Sequence, residues 1–138
     1  MRIKIFYDEI KYRIKGSKNC LKEMEKVIRS EKRIPGDLSF ILTNDEKMID
    51  INREFLGHDY YTDVIAFSNN NGNIINGEIY ISFDTVKRNS INYKVSLRKE
   101  LLRVMIHGTL HLCGYDDKTK MEREEMRRIE DNWLIKIK

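Results

Sequence analysis

The sequence predicts an α+β fold: a small mixed sheet of four strands covered by about five helices. Two observations lead to this. Four short segments carry strand-like apolar patterns, and the segments between and after them repeat their apolar residues every three or four positions. Arg2-Ile3-Lys4-Ile5-Phe6-Tyr7 alternates basic and apolar residues, so the first strand buries one face. Leu21, Met24 and Ile28 follow Ser17 at helical spacing and predict a helix over about residues 18–30. Pro35-Gly36 breaks the pattern before Leu38-Ser39-Phe40-Ile41-Leu42, a well buried second strand. Thr43-x-x-Glu46 has the form of a capping box, in which each side chain bonds the other residue's backbone N–H. Met48, Ile51 and Phe55 share one face of the helix it opens, and Gly57 stops that helix.

Asp63-Val64-Ile65-Ala66-Phe67 and Glu78-Ile79-Tyr80-Ile81-Ser82 supply the other two strands. They are joined by Asn69-Asn70-Asn71-Gly72-Asn73, residue types that tolerate positive φ. A polar helical stretch runs from Phe83 to about Ile91, and Ser96 then caps a long apolar helix from Leu97 to about Leu112. Gly114 ends it. Thr119-x-x-Glu122 is a second capping box, and in the helix that follows Ile129 and Trp133 lie four apart on the inward face.

The 138 residues, with 41% apolar and 35% charged side chains, suit a single domain spanning residues 1–138 around one core. No apolar run approaches the ~20 residues of a bilayer span. Lys11, Arg13, Lys15 and Lys18 interrupt any signal-peptide-like stretch, so the expected location is cytoplasmic. Cys20 and Cys113 are too few for a disulfide framework and read as free thiols. The net charge of +4 conceals a basic start, an acidic middle and a second basic segment over residues 84–105. Lys87, Arg88, Lys94, Arg98, Lys99 and Arg103 in that segment can meet an anionic partner such as RNA, although a solvated helix surface is the simpler account.

Chemistry concentrates near residue 110. His107 and His111 are four apart in the long helix and so emerge on one side, one turn apart, able to bind one ion. Gly114 can adopt the left-handed conformation that reverses the chain and returns residues 116–117 toward the helix. The run His107-Gly-Thr-Leu-His111-Leu-Cys-Gly-Tyr-Asp-Asp117 thus has the ligand spacing of zinc metalloproteases in which a residue after a glycine turn completes two helical histidines. The third ligand in that pattern lies ten positions after the first, which selects Asp117 over Asp116. Two histidines and one carboxylate leave coordination positions open, as catalytic zinc requires. Metalloproteases place a general-base Glu directly after the first histidine. Here that position is Gly108, which moves no proton, so peptidase chemistry is disfavoured. Cys113 falls off the ligand face and reads as a small core residue.

The same run resembles the signature of the YbeY family of bacterial endoribonucleases and ribosomal RNA maturation factors. Asn52-Arg53-Glu54-Phe55, Thr62-Asp63-Val64-Ile65-Ala66-Phe67 and Gly77-Glu78-Ile79-Tyr80-Ile81-Ser82 match family stretches in order and spacing. The resemblance implies an α+β fold, one bound zinc and cleavage of single-stranded RNA. It also implies a role in maturing the 3′ end of small-subunit ribosomal RNA and in ribosome quality control, with small-subunit ribosomal proteins and the Era GTPase as partners. Two positions depart from the family pattern. Asp117 stands where the family usually has histidine, which lowers the net charge at the ion by one unit. Leu56 stands where many members carry a functionally important arginine, and Arg53, three residues earlier, is the candidate to take over phosphate contact.

His58 and the adjacent Tyr60 and Tyr61 form a loop able to touch RNA, with a plain exposed loop as the simpler account. Glu100 and Arg103 share His107's side of the helix and could support the ligands or contact phosphate, with burial or an ion pair between them as the simpler account. Asp63, Glu78 and Asp116 are all conceivable proton carriers. Two rivals to a nuclease remain. One is a peptidase using Gly77 to Ser82 as an edge strand. The other is a non-catalytic ribosome assembly factor whose metal is structural.

Overall fold

Each apolar strand segment pairs into one four-stranded sheet in the order β1-β2-β4-β3. The computed structural model describes residues 2–57 and 62–137. β1 (Ile3–Tyr7), β2 (Ile34–Thr43) and β4 (Ile74–Ser82) run parallel, and β3 (Val64–Ser68) closes one edge antiparallel to β4. The helices are α1 (Ser17–Ser30), α2 (Asp45–Ile51), α3 (Phe83–Asn92), α4 (Leu97–Leu112) and α5 (Lys120–Lys136). The α+β class, the mixed sheet and the five helices agree with the pattern in the sequence.

Because side chains alternate across a strand, Leu38, Phe40 and Leu42 of β2 and Ile79 and Ile81 of β4 enter one buried layer. α4 lies on that layer. Ten of its sixteen residues are buried, so it is apolar nearly all round and serves as the central helix, with α1, α3, α5 and the sheet packed about it. Each large aliphatic side chain fully buried there contributes about 1.5–3 kcal/mol. Gly108 permits the close approach. A Cβ at this position would lie 2.7 Å from Ile79 Cγ2 and 3.3 Å from Val64 Cγ2.

Four local readings are corrected. Pro35-Gly36 does not precede β2 but lies within it, at a bulge where the register against β4 shifts. At Gly36 a Cβ would stand 2.9 Å from the Ile75 carbonyl oxygen, so glycine lets the two backbones meet. β4 likewise begins earlier than its apolar run, at Ile74. The cap of α2 is Asn44, whose side chain accepts from the Lys47 N–H at 2.9 Å. Thr43 instead belongs to β2, and its hydroxyl donates to Asp8. Finally, the helix does end at Gly57, at φ 68°, as expected, but its last turn, Asn52–Leu56, is π-helical and Phe55 is exposed rather than on the buried face with Met48.

Candidate metal centre

The C-terminal end of α4 is built to project two imidazoles and to return the chain beneath them. Gly114 at φ 108° carries the reversal, a conformation costly for any residue with a Cβ. Its N–H donates to the His111 carbonyl and the Tyr115 N–H to the Leu110 carbonyl, each at 3.0 Å, the bond pair of a Schellman end. The last carbonyls of the helix are also held: Leu112 by the Asn70 amide at 2.8 Å and Cys113 by the Arg33 guanidinium at 3.1 Å. This anchoring sets the backbone that follows, and Asp117 arrives at the histidines while Asp116 is exposed.

His107 Nε2 lies 3.1 Å from Asp117 Oδ2 and 3.1 Å from His111 Nε2, and His111 Nε2 is 3.3 Å from the same carboxylate oxygen. The outward nitrogens are already committed. His107 Nδ1 is 2.6 Å from Glu130 Oε2, and His111 Nδ1 is 2.9 Å from the Tyr115 carbonyl oxygen. A carbonyl only accepts, as does an ionised carboxylate, so each neutral ring carries its proton on Nδ1 and turns a lone pair inward from Nε2. Two lone pairs and a carboxylate oxygen converging within 3.3 Å repel one another unless a positive charge sits among them. Ligand atoms ~2.0–2.1 Å from a tetrahedral ion are ~3.3 Å apart, so the three donors present here fit a zinc-sized cation.

The surrounding carboxylates favour positive charge at this point. Burial works against a charge on His107, but the hydrogen bond and charge of Glu130, with Asp63 and Asp117 behind them, outweigh it and raise its pKa. Cys113, buried beside this helix end, is pushed up to about 11 by loss of solvent, and it stands outside the group formed by His107, His111 and Asp117.

Two clefts flank the triad. One, about 230 Å³, is lined by Asp63, Glu100, Arg103, His107, Asp117 and Glu130. The other, about 460 Å³, lies between His111 and Asp117 on one side and β3, Asn52 and Leu56 on the other. Of the three proton-carrier candidates, Asp63 is therefore at the site, and burial holds its carboxyl above the ordinary range although His107 pulls it down. Glu78 accepts from the Tyr80 hydroxyl and lines a different cleft with Asp37 and Phe67.

Other sequence expectations are redistributed. Arg103 pairs not with Glu100 but with Glu130 at 3.0 Å and Asp131 at 2.7 Å on α5. Glu100 is itself buried, which raises its pKa against the pull of Arg103. Within the proposed basic strip Arg88, though exposed, pairs with Asp45 at 2.8 Å and Arg98 donates to the Lys15 carbonyl, while Lys87, Lys94 and Lys99 are exposed. Arg53 is exposed on the π-helical turn and lines a third cleft with Asn44, Asp45 and Asp84, apart from the histidines, whereas Leu56 of that turn does line the site. β4 is paired on both sides, so the peptidase reading loses its edge strand; the sheet's edges are β1 and β3. His58, Tyr60 and Tyr61 lie outside the described residues.

Sequence reasoning missed Glu130. The signal was an acidic residue on the same helical stripe as Met126 and Trp133, where an apolar one is expected.

An α+β layer carrying two helical histidines and a carboxylate beyond a glycine turn defines a candidate metallohydrolase class, and the comparisons narrow it. Residues 4–138 match the family model described as Endoribonuclease YbeY. A protein of that name from Christiangramia forsetii is 44% identical over 91% of this chain and 88% of its own length. Another, from Flavobacterium psychrophilum, is 40% identical over 94% and 92%. A solution structure from Thermotoga maritima superposes with a TM-score of 0.66 at 30% identity, covering 98% of this chain and 88% of that one. The chain belongs to the YbeY family.

Proposed function

We propose that this protein is a metal-dependent endoribonuclease that holds one zinc ion through His107, His111 and Asp117 and cleaves single-stranded RNA. We place it in 3′-end maturation of small-subunit ribosomal RNA and in ribosome quality control, in the cytoplasm, with small-subunit ribosomal proteins and the Era GTPase as partners. The naming of its relatives as endoribonucleases supports the reaction class. One observation carries the site: two inward lone pairs and a carboxylate oxygen within 3.3 Å of one another. No helix among the described residues is long and apolar enough to cross a membrane.

Bound there, such an ion supplies Lewis acidity toward a phosphoryl oxygen and toward water. The chain's own groups supply the rest. Arg127 lines the His107 cleft and can offset charge developing on a phosphate. Asp63, held toward its neutral form by burial, is placed to carry a proton at its carboxyl oxygen. Arg53 is assigned an outlying phosphate contact from the turn that carries Leu56. Gly108 cannot serve as a base, and the space a longer side chain would need is filled by Ile79 and Val64, which weighs against peptide hydrolysis.

The test is cleavage of a single-stranded RNA oligonucleotide by wild type, His111→Ala and Arg53→Ala, with end-group analysis of the products. The expected result is zinc-dependent cutting by the wild type, loss of at least a hundredfold in His111→Ala and a smaller loss in Arg53→Ala. A 2′,3′-cyclic phosphate with a 5′-hydroxyl identifies the ribose hydroxyl as nucleophile, and a 5′-phosphate with a 3′-hydroxyl identifies water. Undiminished cutting by a folded His111→Ala variant would remove the triad from the chemistry.

A further inference from the structure

We propose that Glu130 is a positioning residue for the metal ligand His107, so that α5 forms part of the cation site; the inference rests on the cation reading above. Glu130 comes from the last helix, 23 positions beyond His107. Its side chain is only 4% exposed. Burying a carboxylate costs several kcal/mol unless it is paired and hydrogen-bonded. Here both oxygens are used: Oε1 takes the Arg103 guanidinium at 3.0 Å and Oε2 takes His107 Nδ1–H at 2.6 Å. The second nitrogen of Arg103 reaches Asp131 at 2.7 Å, so the guanidinium is fixed from two sides and in turn fixes Glu130.

A helix-to-helix ion pair would need only Arg103 with Glu130 or Asp131. The contact to His107 goes further. An anionic acceptor on Nδ1 selects the tautomer whose lone pair is on Nε2, prevents the ring from turning, and makes that lone pair more basic. His111 has only the neutral Tyr115 carbonyl in the same role, at 2.9 Å. The two histidines are therefore unequal, and His107 is the stronger ligand. The carboxylate behind it adds to the anionic character already given by Asp117, which favours retention of the cation over strong activation of water.

The test measures the zinc dissociation constant of the metal-stripped chain by chelator competition, together with the urea midpoint of the stripped protein, for wild type and Glu130→Gln. The amide preserves shape and removes the charge. The expected result is a 10- to 100-fold weaker zinc affinity of the folded, stripped protein, accompanied by a lowered midpoint because the buried Arg103 pair is broken. An unchanged affinity, or a lowered midpoint alone, would show that the Arg103 pair merely joins two helices. Should Glu130→Gln not fold, nitrogen-15 NMR of the zinc-loaded wild type decides: His107 must carry its proton on Nδ1 and ligate through Nε2, and ligation through Nδ1 overturns the proposal. Failure of the wild type to bind zinc overturns the cation site itself, whereas equal affinity in both proteins overturns only the role of Glu130.

Discussion

Gly108 illustrates how a single residue ties packing to chemistry. In a helix interior, alanine is worth about 1 kcal/mol more than glycine by intrinsic propensity. Here the added methyl would meet the branch carbon of Ile79 at 2.7 Å, and Ile79 is fully buried and cannot move aside. Overpacking of this kind costs about 1–3 kcal/mol; set against the propensity gain, Gly108→Ala is expected to lower stability by up to roughly 2 kcal/mol, read as a reduced urea midpoint. The position next to the first histidine is thus closed by the sheet beneath it. At this scale the sequence was legible wherever one residue type has one conformational use. Gly114 predicted the turn and Asp117 its destination. Glu130 was not legible, because its partner lies on another helix and no local spacing encodes a contact 23 residues away.

Between elements, a second polar junction holds α2 to α3. Asp45 Oδ1 accepts from the Ser82 and Thr85 hydroxyls at 2.5 and 2.6 Å, and Oδ2 pairs with Arg88 at 2.8 Å. Burial pushes the Asp45 carboxyl up, but these hydrogen bonds and the Arg88 charge overcome it and hold its pKa below the ordinary 3.8. A carboxyl depressed in the folded state stabilises above its unfolded pKa, and that stability is lost as pH falls through the folded value. Asp45→Asn should therefore lose about 1–3 kcal/mol near neutral pH and converge on the wild type in acid, as urea midpoints taken from about pH 7 downward would record. A gap that stays constant into acid would contradict the assignment. The boundaries of these elements were the least legible part of the sequence. Thr43-x-x-Glu46 fits a capping box, but β2 extends through Thr43 and passes the cap to Asn44. Pro35-Gly36 signals a break in isolation, whereas pairing with β4 turns it into a bulge.

For the whole molecule, order of elements and fold class were legible because apolar periodicity reports which face of each segment is buried. The strand order was not, since the placement of β4 between β2 and β3 depends on pairings no single segment contains. The proposed cation site would also span the molecule: α4 carries His107 and His111, the turn carries Asp117, and α5 carries Glu130 behind His107. Folding and cation binding are consequently linked. Zinc at a hundredfold excess over its dissociation constant should stabilise the chain by about 2.7 kcal/mol, a rise on the order of 10 °C in Tm for a domain of this size. Calorimetry with and without zinc checks this, and a Tm indifferent to zinc would contradict it. The central claim, that three convergent side chains hold one cation, is tested most directly by the zinc content per chain of purified wild type and Asp117→Ala, both equilibrated against the same buffered free zinc. The wild type should carry one ion and the variant a small fraction of one; a full complement in Asp117→Ala, or none in the wild type, would contradict it.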